Sequence, residues 1–171
     1  MGTVTLITGG ARSGKSAHAL KLAMPYPRKC FIATAEARDE EMAARIAHHR
    51  AGRSTDFRTI EEPSDVAAAI AKLGGETDAI VLDCVTLWIS NLMAIYPDDA
   101  AIIAEADRLA GAIHKAPFAS IVVTDEAGAG IVPDNAMARR FRDLLGWANQ
   151  KLAAAADEVI LMVAGIPLKV K

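Results

Sequence analysis

The sequence predicts an α/β fold, a mostly parallel sheet flanked by helices, in a single domain over residues 1–171. Three observations predict it. Short apolar, β-branched runs alternate with stretches that carry apolar residues at helical spacing, the pattern of strand–helix–strand units. The first run empties into a glycine-rich loop followed by a helix. A later apolar run, Ala79 to Cys84, contains an acid at its end, Asp83, at the sheet edge where parallel strands present ligands.

The first element is the strand Thr3 to Thr8. The next eight residues, Gly9-Gly10-Ala11-Arg12-Ser13-Gly14-Lys15-Ser16, satisfy G-x-x-x-x-G-K-[S/T], and Ser16 to Met24 then reads as a helix. Gly9 and Gly14 let the backbone turn tightly and approach a ligand. The loop N–H groups can form an anion nest, and the positive end of the helix faces the same point. Lys15 would reach the β- and γ-phosphates of a nucleoside triphosphate, with the Ser16 hydroxyl a ligand of Mg²⁺. The sheet is therefore expected to be phosphate-loop NTPase-like (RecA-like).

Pro25-Tyr26-Pro27 breaks the helix, and Cys30 to Thr34 reads as a second buried strand. Thr34, Ala35 and Glu36 lie just past its end, either as an ordinary loop or as ligand contacts. Asp39 to Gly52 reads as a helix with acids in its first turn. Arg45, His49 and Arg53 recur at i, i+4 and i+8 and so project from one side. That is either a solvated basic face or a phosphate-binding surface carrying a nucleophile. Flanking positive charge would keep the His49 imidazole neutral, and so nucleophilic, near neutral pH.

Arg58 to Pro63 is a short extended segment. Ser64 and Asp65 start a helix to Leu73 that Gly74-Gly75 ends. Asp83 closes the next strand, as a metal carboxylate or as a cap for the helix from Thr86 to Ile95. A further helix spans Asp98 to Lys115, and Ala119 to Thr124 is a strand. The loop Asp125 to Pro133 is glycine-rich and too long for a tight turn. Asp134 or Asn135 caps a long helix to about Ala156, and Glu158 to Ala164 is the last strand. Gly165-Ile166-Pro167 turns it into a tail, Leu168 to Lys171.

A net charge of −2 provides no electrostatic footprint for nucleic acid. No apolar run approaches the ~20 residues of a membrane span, and Met1-Gly2-Thr3 leads straight into a strand, so no secretory leader is expected. Cys30 and Cys84 read as buried reduced thiols of a cytoplasmic protein, too few for a zinc site without histidines.

Several segments together resemble the bifunctional adenosylcobinamide kinase and adenosylcobinamide-phosphate guanylyltransferase family of cobalamin biosynthesis. They are GGARSGKS (9–16), FIAT (31–34), DEEMAARIAHHRAGR (39–53), TIEEP (59–63), LDCVTLWISNL (82–92), EAGAGIVP (126–133), ARRFRDLLGWANQ (138–150) and GIPLKVK (165–171). They cover nearly the whole chain, in the family's order. The resemblance implies that ATP or GTP phosphorylates adenosylcobinamide. GMP from GTP then passes through a guanylyl-histidine to adenosylcobinamide phosphate, giving adenosylcobinamide-GDP and pyrophosphate. The histidine four residues after the arginine of the R-I pair is His49. The family's nucleotide contacts carry over to Gly9–Ser16, Thr34, Ala35, Glu36, Arg50, Ala51, Gly52, Arg53, Glu61 and Asp83, with Lys15 catalytic alongside His49 and Mg²⁺ on Ser16 and Asp83. A homotrimer is implied as well.

Three positions depart from the family pattern: Phe57 stands where Trp is usual, Asp125 where Asn is common, and Ala129 where a larger residue is common. The aromatic at 57 should keep a packing role. Two other readings use the same loop. One is a kinase for another small alcohol with no covalent intermediate. The other is a GTP-binding switch without an acceptor.

Overall fold

The computed structural model of the chain describes residues 2–37, 40, 43, 44, 46, 47 and 56–171. Its elements are β1 (Val4–Gly9), α1 (Lys15–Ala23), β2 (Lys29–Ala33), β3 (Phe57–Glu61), α2 (Val66–Lys72), β4 (Ala79–Asp83), α3 (Val85–Ile95), α4 (Asp99–Lys115), β5 (Ala119–Val123), α5 (Ala136–Ala155), β6 (Glu158–Val163) and β7 (Ile166–Lys169). The strands form one sheet in the order β3-β2-β4-β5-β1-β6-β7. Every pairing is parallel except β6 with β7. The expected mostly parallel α/β sheet is what the chain forms.

Side chains alternate across the sheet because the strand period is two. Leu6, Cys30, Ile32, Ile80, Leu82, Val122 and Val159 point into the larger core, filled by Val66 and Ile70 of α2, Trp88 and Leu92 of α3, Leu109 of α4 and Leu144 of α5. Ile7, Phe31, Val81, Ile121, Val123, Ile160 and Met162 point into the smaller one, where Ala19 and Ala23 of α1 sit close to the sheet. Burial on both faces is why these strands read as continuous apolar runs rather than alternating ones. Phe57 keeps an aromatic role, edge-on to Phe31 with ring centroids 6.4 Å apart.

Helix starts follow cap chemistry. Asp65, Asp98 and Asn135 accept from the N–H groups of Ala68, Ala100 and Ala138. Of the two candidate caps for the long helix, Asn135 is the one used. α1 differs: Gly14 stands at its N-cap without a side-chain bond. At the opposite sheet edge, Arg28 grips Asp78 through its backbone N–H and its Nε, each 3.0 Å from Oδ2. This ties the entry of β2 to that of β4.

Two segments are more ordered than the sequence suggests. The extended stretch after residue 56 is a full parallel edge strand, β3, in register with β2 from Phe57 to Glu61. The expected tail is strand β7, with Ile166 opposite Val163 and Lys169 opposite Ile160. The hairpin closes over Ala164 and Gly165, whose φ angles of 50° and 83° are those a two-residue primed turn requires. Alanine in the first turn position hides that turn from a sequence reading. Pro167 looks like a breaker, yet an edge strand tolerates it.

Candidate functional site

The carboxyl ends of β4, β5 and β1 lie side by side because those strands are consecutive in the sheet. Asp83 is level with Val123, and Val123 with Ile7. Gly9, the last residue of β1, and Asp125, just beyond β5, therefore meet at one edge. The Glu126 N–H donates to the Gly9 carbonyl at 3.1 Å, sealing that junction.

The loop between β1 and α1 takes a shape that only glycine permits at two points. Gly9 has φ +148° and a Cβ there would lie 2.6 Å from the Met162 carbonyl oxygen. Gly14 has φ +96° and its Cβ would lie 3.3 Å from the Gly165 Cα. The loop is braced from behind by the β6–β7 hairpin, whose Gly165 N–H donates to the Ser13 carbonyl at 2.9 Å. The C-terminal hairpin is thus part of the phosphate-loop scaffold, a role the sequence alone did not disclose.

Lys15 is 8% exposed. Its Nζ donates to the Gly10 carbonyl at 2.6 Å and forms an ion pair with Asp125 Oδ1 at 2.6 Å. The Asp125 backbone is clamped on both sides. Its N–H donates to Thr86 Oγ1 at 2.8 Å, and its carbonyl accepts from Asn149 Nδ2 at 3.0 Å. Asn149 is itself oriented by the Thr124 hydroxyl, 2.7 Å from its Oδ1.

On the other side of Asp83, Thr34 is fully buried. Its hydroxyl accepts from the Cys84 N–H at 2.9 Å and donates to the Cys84 carbonyl at 2.7 Å. Its own carbonyl takes Asn91 Nδ2 at 2.8 Å. Trp88 Nε1 donates to the Ser64 carbonyl at 2.6 Å, which ties the β3–α2 connection to α3. These bonds hold the ends of β2 and β4 together.

A cavity of about 1540 Å³ opens over this edge. Ala11 to Ala17 line it, together with Ala35, Glu36, Glu61, Asp83, Cys84 and Asp125. Of the sequence-predicted site residues, the structure brings Ala11, Arg12, Ser13, Gly14, Lys15, Ser16, Ala35, Glu36, Glu61 and Asp83 to this one cavity. Gly9 and Gly10 shape the turn behind it, and Thr34 stands behind the wall rather than in it. His49, Arg50, Ala51, Gly52 and Arg53, with Arg45, lie outside the described residues. Ala43, Ile46 and Ala47, which precede His49, do line the cavity.

Cys84 lines the cavity too, but burial first, and the nearby Asp83 carboxylate second, push its thiol up to about 12. The neutral thiol is a wall, not a nucleophile. Sequence reasoning missed Asp125 as the partner of Lys15. The available signal was its place: it follows β5 much as Asp83 ends the neighbouring β4.

Strand, glycine loop, buried lysine and an acid at the end of a neighbouring strand define a phosphate-loop nucleotide-binding protein. Solved structures with this fold include a prototypical ATPase from the type III secretion system of pathogenic bacteria, with a TM-score of 0.64 at 11% identity over 94% of this chain and 51% of that one. The RadB recombinase has a TM-score of 0.54 at 17% identity over 93% of this chain and 73% of that one. The chain belongs to the cobinamide kinase / cobinamide phosphate guanyltransferase family, whose model matches residues 5–170. It is 43% identical to the bifunctional adenosylcobalamin biosynthesis protein CobU of Escherichia coli (strain K12), over 97% of this chain and 98% of that protein. It is 44% identical to CobU of Salmonella typhimurium over the same shares, and 40% identical to CobP of Pseudomonas aeruginosa over 97% and 96%.

Proposed function

We propose that this chain is a bifunctional transferase acting on adenosylcobinamide. It phosphorylates adenosylcobinamide with ATP or GTP. It then moves GMP from GTP through His49 to adenosylcobinamide phosphate, yielding adenosylcobinamide-GDP and pyrophosphate. The single observation that carries this reading is the placement of Lys15, Ser16 and Asp83 along one cavity in a chain of this family.

In the first reaction the acceptor hydroxyl attacks the γ-phosphorus and the nucleoside diphosphate leaves. The nest of loop N–H groups, Lys15 and the open end of α1 face the charge that moves onto the β–γ oxygens. In the second, neutral His49 attacks the α-phosphorus, with Arg45 and Arg53 offsetting the developing charge. Ala43, Ile46 and Ala47, which precede His49 in the sequence, line this cavity, and that supports the reading. Arg50 through Arg53 and Glu61 complete the nucleotide contacts, with Ala35 and Glu36.

The donor chemistry fits Mg²⁺. Ser16 and Asp83 offer hard oxygen ligands on one cavity, and among the described residues no group of three or more His, Cys, Asp or Glu could hold a metal alone. Two protein oxygens plus phosphate oxygens and water are what Mg²⁺ ordinarily takes. When bound it neutralises phosphate charge. On this reading the chain works as one domain, as a homotrimer, in the cytoplasm. No helix of the described residues is long and apolar enough to cross a membrane.

The test is incubation with α-³²P-labelled GTP and Mg²⁺, then a denaturing gel. Protein-bound label lost in acid and stable in base is expected of a histidine phosphoramidate. No label while GTP still binds would remove the covalent route and leave a plain kinase.

A further inference from the structure

The Lys15–Asp125 ion pair occupies the very ammonium that a triphosphate needs. Lys15 Nζ has 2.6 Å contacts to both Asp125 Oδ1 and the Gly10 carbonyl, and Ser13 Oγ stands 3.5 Å away. The lysine is therefore satisfied by protein groups alone. A ligand phosphate must replace the carboxylate to reach it.

The backbone that carries the carboxylate is fixed when the pair opens. The N–H of Asp125 is held by Thr86, its carbonyl by Asn149, and the next residue's N–H by Gly9. Only its side-chain torsions remain to move it. Asp125 also lines the cavity beside the phosphate loop. It stays as an anion next to an anionic ligand. Like charges juxtaposed in a partly desolvated site repel, and the 2.6 Å Lys15–Asp125 contact is lost when a phosphate takes the ammonium.

We propose that Asp125 is an affinity-setting residue of the nucleotide site: it competes with the triphosphate for Lys15 and repels the bound phosphates, so it weakens nucleotide binding and speeds nucleotide release. The inference rests on reading this loop as the triphosphate site. It suits an enzyme that must discharge one nucleotide product from the loop before the next substrate enters. The residue is an affinity and residence-time determinant, not a group that touches the reacting atoms.

The experiment measures the Kd of a non-hydrolysable GTP analogue by calorimetry, and its release by stopped-flow chase with a fluorescent analogue. Wild type, Asp125→Asn, Asp125→Ser and Asp125→Glu are compared, each checked for folding by circular dichroism. Asn and Ser remove the charge and are expected to tighten binding about tenfold or more, mainly through slower release. Glu keeps the charge and is expected to bind within a few-fold of wild type. Tightening in a protein that fails to phosphorylate cobinamide would uphold the inference and count against the assigned activity instead. Unchanged or weaker binding by both folded neutral variants, with cobinamide turnover intact, would overturn the inference and leave the activity standing.

Discussion

The Thr34 hydroxyl spans the backbone of Cys84, accepting from its N–H at 2.9 Å and donating to its carbonyl at 2.7 Å. One buried side chain just past the end of β2 thereby sets the backbone immediately after Asp83. Thr34, which the family resemblance implies as a nucleotide contact, holds in place the backbone next to Asp83 at the cavity.

Thr34→Val keeps the shape and removes both bonds. A buried N–H left unsatisfied costs about 1–3 kcal/mol. For a chain of this size that is a fall in Tm of about 3–10 °C. The Mg²⁺ dependence of nucleotide binding should weaken as well, since Asp83 adjoins the loosened segment. Unaltered melting in differential scanning calorimetry would mean that water replaces the hydroxyl.

Glycine substitutions should split by sign. Gly9→Ala places a methyl 2.6 Å from the Met162 carbonyl oxygen at φ +148°. The conformation alone costs about 1–3 kcal/mol, and the clash pushes β1 from β6. Gly111 in α4 and Gly146 in α5 have nothing within 4 Å of an added Cβ. Alanine there should stabilise by about 0.5–1 kcal/mol each. Urea titrations of the three variants test both directions.

His49→Ala should abolish guanylyl transfer and leave nucleotide binding largely intact. Full transferase activity in that variant would rule out His49 as the guanylylated residue. Lys15→Ala should lose both activities, because both reactions draw on one phosphate loop. Unimpaired GMP transfer there would place the two reactions at separate nucleotide sites.

Acid should erode the β2–β4 clamp. The Arg28 guanidinium, through its hydrogen bond first, holds the Asp78 carboxyl below its ordinary value of 3.8. A depressed carboxylate contributes stability that is present above the unfolded value and lost as pH falls through the folded one. Wild type should therefore be more stable than Asp78→Asn at pH 7, and the gap should close only below the ordinary carboxylate range. Arg28 is exposed and Asp78 half-buried, so added salt should also narrow it. Denaturant titrations across that pH range check the sign.

Much of this molecule was legible in its sequence because local patterns carried it. The glycine loop, the apolar runs of β1, β2, β4 and β5, and the capping residues Asp65, Asp98 and Asn135 are short-range features. What escaped were contacts between distant segments. β7 looked like a tail because Ala164 and Pro167 disguise a hairpin. Asp125 looked like the first residue of a loop because its partner, Lys15, is 110 positions earlier. Thr34 read as either a loop residue or a ligand contact because nothing local says that its hydroxyl bonds Cys84.

The sequence by itself determined the class of fold, the phosphate-binding loop and the family, since each is written in spacing along the chain. Only the tertiary structure decided which side chains share the cavity and which stand behind it. Strand order is the physical reason. Placing β5 between β4 and β1 brings Asp83, Asp125 and Lys15 to one edge, and no residue's spacing from its neighbours encodes that order.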